Sequence, residues 1–356
     1  FLNNFYQKIQ LKKLEKQFRM IIFGELCALA CAASWAGASN LFSHSVKTYT
    51  PMALNLVKGA GSVIILFMLM LLINDSLFPQ AETSLYLYLF VSGIFGIGIG
   101  DTLYFQALEV LGPNVTILME TLAPPFTGLL AFAYYKDTIS FVGWVGITLV
   151  VLGIYFVVRK NSSEKDQQLS AKDIETQATF VEIPLIPQAE QLLHQQTQIN
   201  QQNDLIAIIK SKKFKGIVSG VMCMFFHSFG MILSHDALKT KQFDALTSSF
   251  LRLIAGLVFI AIVMAFKKSE KFQIPQQSSR DNLILALGIL LGPILCIVFQ
   301  QISLMYTRPE IAQTLMGTTP IFTIFISAWK GQKVSQQYII GSMIALFGVI
   351  LIVWSK

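Results

Sequence analysis

The sequence predicts an all-α integral membrane protein: ten transmembrane helices arranged as two inverted five-helix repeats. Three observations carry this expectation. Apolar runs of roughly 20 residues, each long enough to cross about 30 Å of hydrocarbon, recur along the chain. One long polar stretch divides these runs into two sets of five. The second set echoes the first, because Pro113 and Pro124 return 196 residues later as Pro309 and Pro320.

Composition agrees with this reading. Hydrophobic residues make up 54% of the 356 positions and charged residues only 13%, outside the range of soluble domains. The formal net charge of +7 raises the question of nucleic acid. However, the Lys and Arg residues cluster between apolar runs, where membrane orientation and lipid headgroups account for them. The expected partner is therefore the lipid bilayer and not nucleic acid.

In chain order, residues 1–21 mix Lys8, Lys12, Lys13, Lys16 and Arg19 with Leu2, Phe5, Ile9, Leu14 and Phe18. That pattern suits a basic amphipathic segment on a membrane surface. A first repeat at 22–158 holds spans near 22–43, 51–73, 84–108, 113–135 and 140–158. A second at 214–356 holds spans near 214–237, 243–266, 281–306, 309–328 and 336–354. Short turns rich in Pro, Asn, Asp and Lys separate them, as a close-packed bundle requires. Between the repeats, 159–213 is polar, with seven glutamines from Gln188 to Gln202, and reads as a flexible linker with one weak surface helix near 188–209.

The echo is more than two prolines. Ser140, Gly146 and Gly153 in the fifth span match Ser335, Gly341 and Gly348 in the tenth. Lys58 lies seven residues after Pro51, and Arg252 seven after Ala245. Two five-helix halves must point in opposite directions through the bilayer, a plan that puts a solute site near the midplane between them.

The order and spacing of these pieces resemble the EamA family of the drug/metabolite transporter superfamily. The pieces are Pro51…Lys58 and Ala245…Arg252, Tyr104-Phe105-Gln106-Ala107-Leu108, Thr121-Leu122-Ala123-Pro124, Thr318-Thr319-Pro320 and the glycine-spaced last helix of each half. The resemblance covers 22–158 and 214–354. It implies a secondary transporter of a small organic metabolite, working by alternating access with both termini in the cytoplasm. Charge alone does not orient the chain, since Lys and Arg favour opposite answers for the two halves.

Ionisable residues inside apolar spans are costly and therefore mark function. Lys58 and Glu120 lie seven residues into their spans, and Asp101 seven before the end of its own. At 1.5 Å per residue all three sit about 10 Å below one membrane face, where they can neutralise each other or exchange a proton or an anionic solute. Ile297 and Met316 stand at the matching positions of the second half, so Arg252 either snorkels or faces a watery cavity. Trp35, Asn55, Tyr104, Gln300 and Thr318 complete the expected solute-binding set, an aromatic lining with a few hydrogen-bonding groups. Pro124, Pro125 and Pro320 are the expected hinges.

Other features read as packing. The run Gly93-x-x-Gly96-x-Gly98-x-Gly100 lies in an apolar span with no strand before it, so close helix approach explains it better than phosphate binding. Cys27, Cys31, Cys223 and Cys296 show no metal spacing and read as small core residues; His227 and His235 read as packed or interfacial. Neither a cofactor nor a catalytic constellation is expected, which leaves two alternatives to a carrier. One is a non-transporting receptor or scaffold, the other an intramembrane enzyme.

Overall fold

The computed structural model describes residues 2–73, 78–136, 140–157, 188–267, 275, 277–331 and 334–354, and all regular structure among them is helical. The first half supplies α1 (Leu2–Ser45), α2 (Pro51–Ile73), α3 (Thr83–Leu111), α4 (Pro113–Tyr135) and α5 (Phe141–Val157). The second supplies α6 (Gln188–Leu238), α7 (Ala245–Phe266), α8 (Ser279–Tyr306), α9 (Pro309–Trp329) and α10 (Gln336–Trp354). Eight of these contain stretches long and apolar enough to cross a membrane; α5 and the Gln336–Leu351 part of α10 are apolar but shorter.

Local chemistry sets several boundaries. Asp244 caps α7 by accepting the Thr247 N–H at 2.9 Å, and Ser278 caps α8 through the Asp281 N–H. Gly112, at φ +78°, makes the tight turn between α3 and α4, and Pro113 follows as the first residue of α4, where its missing N–H costs nothing.

Two kinds of interruption occur in both halves. Residues Ile94–Gly100 of α3 and Leu290–Cys296 of α8 are wound as π-helix, again 196 residues apart. Pro293 sits inside the second of these, where the looser winding accommodates a residue that cannot donate. Helix α4 breaks at a 3-10 turn, Glu120–Leu122, and α9 at Gly317 and Thr318. The expected mid-span kinks are thus breaks. Pro124, Pro125 and Pro320 each stand in the opening turn of a new half-helix, Ala123–Tyr135 or Thr319–Trp329.

The halves dock through matching helices. Helix α1 packs on α8 and α6 on α3, while α2 packs on α7. In α4 and α9, the first piece of each lies against the second piece of the other. Close contact between α5 and α10 depends on glycine: a Cβ at Gly153 would sit 2.6 Å from the Gly341 carbonyl oxygen. The α3 glycines work the same way, since a Cβ at Gly93 would meet the Arg252 carbonyl oxygen at 2.1 Å.

Residues 2–21 continue into the first span as one helix. Of the expected linker 159–213, residues 159–187 lie outside the described set, and the stretch near 188–209 expected as a surface helix is helical and runs on into the span as part of α6.

Candidate functional site

Helix α2 carries Lys58 into the protein with no exposed surface, and its ammonium pairs with Asp101. The α3 π segment ends at Gly100, so Asp101 is the first residue of the resumed α-helix. Asn55 steadies this junction by donating from Nδ2 to the Ile97 carbonyl and to Thr102 Oγ1, both at 2.9 Å. The second oxygen of Asp101 accepts from His227 Nε2 on α6 at 2.9 Å. A Cβ at Gly100 would fall 2.5 Å from the His227 ring, so glycine there gives the imidazole its place. One carboxylate therefore joins a cation of the first half to an imidazole of the second.

Glu120 occupies the break in α4. Trp35 Nε1 donates to its Oε1 at 2.6 Å and the Tyr104 hydroxyl donates to the same atom at 3.0 Å. Tyr104 also bonds Ser39 on α1 at 2.7 Å, and its ring lies 5.2 Å from that of Trp35. Arg252 on α7 is 4% exposed, so it does not snorkel. Its Nη1 donates to Gln300 Oε1 at 2.8 Å, while Nε is buried without a partner, and among the described residues the guanidinium makes no ion pair.

These groups converge on one cavity between the halves, of about 90 Å³, which is room for several water molecules. Trp35, Lys58, Asp101, Glu120, Arg252 and Gln300 all reach its wall. Tyr104 and Asn55 stand behind it, holding Glu120 and the π segment. Thr318 turns its hydroxyl to the Leu315 carbonyl, and its neighbour Thr319 lines the cavity instead. His227, Cys31, Cys296 and Gln313 also reach the wall, although His227 and both cysteines read as packing residues from sequence. Nothing in their own spans distinguishes them; their partners lie in the opposite half. Among the described residues no group of three or more His, Cys, Asp or Glu side chains could hold a metal ion.

The sequence profile of the EamA-like transporter family matches residues 22–159 and 214–354, the two halves just described. The chain belongs to that family. No curated relative matches this EamA-like chain. A crystal structure of a protein resembles it with a TM-score of 0.57, over 92% of this chain and 95% of its own, at 13% identity, a likeness of fold alone. The EamA-like halves thus coincide with the helices that wall the cavity.

Proposed function

We propose that the chain is a ten-helix secondary carrier whose two inverted halves expose the central cavity to one side of the membrane and then the other. Family membership supports transport. Opposed packing of α4 and α9, with reciprocal contacts of α1 with α8 and α6 with α3, supports the inversion. The two short apolar helices, α5 and α10, would complete each half as its fifth span.

One observation carries the solute class. Arg252 offers the cavity a buried guanidinium whose Nε has no partner and whose Nη1 donates to a neutral amide, with no ion pair among the described residues. A buried unpaired cation is costly, and an anionic group on a bound solute compensates it. The solute is a small organic metabolite bearing a carboxylate or a comparable anion. Lys58, already paired with Asp101, does not compete for it. Glu120, tied to Trp35 and Tyr104, is the group that would take up and release a proton during the cycle. Both termini face the cytoplasm in this arrangement.

Melting curves of purified protein against a library of small organic acids, amines and neutral metabolites test the class. A ligand that binds only the folded state raises the melting temperature according to its occupancy. The reading expects the acids to give the shifts; shifts confined to amines or neutral solutes would overturn it.

A further inference from the structure

Cys31 on α1 and Cys296 on α8 meet across the boundary between the halves, with their sulfurs 3.0 Å apart. Both are free thiols, 3% and 7% exposed, and both form part of the cavity wall. Around them α1 lies along α8, and the Ser34 hydroxyl donates to the Leu291 carbonyl at 2.8 Å inside the π segment that Cys296 closes. A disulfide joins sulfurs at about 2.05 Å, so closing this one takes roughly 1 Å of side-chain movement. Linear coordination of a soft metal ion between two thiolates would instead require the sulfurs to move apart.

We propose that this pair is an oxidation site, and that its disulfide staples the two halves together at the cavity and arrests the carrier. A peroxide small enough to enter the cavity is the oxidant. One thiolate attacks a peroxide oxygen and expels hydroxide, leaving a sulfenic acid. The second thiolate attacks that sulfur, expels hydroxide and forms the S–S bond. With the released protons, two thiols lose two electrons and hydrogen peroxide becomes two waters. A thiol reductant reverses the bond. Each half supplies one sulfur, so the new bond holds walls that must part for the cavity to change sides. Cys27, on the same helix, and Cys223, beside His227, are outside the bond.

The arrest rests on the transport reading; formation of the bond does not, and the two are measured separately. Purified protein is treated with hydrogen peroxide, thiols are blocked, and peptides are mapped by mass spectrometry without reduction. A peptide pair linked through Cys31 and Cys296 is expected; its absence, or linkage through Cys27 or Cys223, overturns the proposal. In proteoliposomes, peroxide should lower solute uptake by about tenfold, with recovery on reduction, and C31S and C296S variants should each show no drop relative to their own untreated rate. Cys27→Ser should stay sensitive. A mapped disulfide with undiminished uptake would overturn the arrest while leaving the carrier reading intact. Should the untreated protein move no solute, the mapped bond still decides the oxidation site, and it is the carrier reading that fails.

Discussion

Asp101 sits between Lys58 and His227, pairing with the ammonium through one oxygen and accepting from the imidazole through the other at 2.9 Å. All three side chains are at least partly buried, and Lys58 is wholly so. Removing one member of a buried pair leaves an uncompensated charge, a loss of about 3–5 kcal/mol, whereas replacing both with apolar residues is often neutral. D101N should therefore melt well below the native protein. The double replacement K58M/D101L should recover most of that loss. Equal melting temperatures for native and D101N would show that the pair is not holding the helices.

Glu120 tests the proton assignment. Glu120→Gln keeps an oxygen for Trp35 and Tyr104, so the melting temperature should change little. Native uptake should vary with pH, and the variant should lose that variation along with most of its rate. Parallel pH profiles would remove Glu120 from the proton step.

Two glycines give opposite expectations. Gly93→Ala drives a Cβ to 2.1 Å from the Arg252 backbone oxygen, so α3 and α7 must separate and the protein should express poorly or melt early, losing about 3 kcal/mol or more. Gly128→Ala, in α4, meets nothing within 4 Å and should be neutral or stabilising by up to about 1 kcal/mol. Thermal unfolding of both variants in one detergent separates them.

Trp35 should matter through its N–H. Trp35→Phe retains an aromatic ring beside Tyr104 but leaves Glu120 with one donor fewer at Oε1. Uptake should fall by about tenfold or more while folding is kept, as is usual when a positioned hydrogen bond in a binding site is lost. An unchanged rate would make the Trp35–Glu120 bond merely structural.

Much of this site is legible in the sequence because depth is arithmetic. Span length and 1.5 Å per residue put Lys58, Asp101 and Glu120 in one layer, and the structure brings all three to one cavity. The neighbours behind them are less legible. His227 reaches Asp101 across 126 residues of sequence, and Cys31 meets Cys296 across 265, pairings that depend on how the halves dock. Thr318 and Thr319 differ by one step, but the break at Gly317 and Thr318 resets the helical phase, so the cavity receives Thr319. The π segments carry little signal of their own beyond Pro293 and the glycines, because apolar π- and α-turns share the same residue types. Repeat symmetry was visible in the prolines; helical breaks at those prolines follow from how α4 and α9 pack.

The most direct test of the cavity as the solute path is uptake of a radiolabelled small organic anion into proteoliposomes by the native protein and by Arg252→Gln. Native protein should accumulate the anion, and the variant, with an amide in place of the charge, should lose at least about tenfold in uptake at a nearly unchanged melting temperature. Equal uptake by the two proteins, or none by the native protein across a panel of anions, would contradict the account.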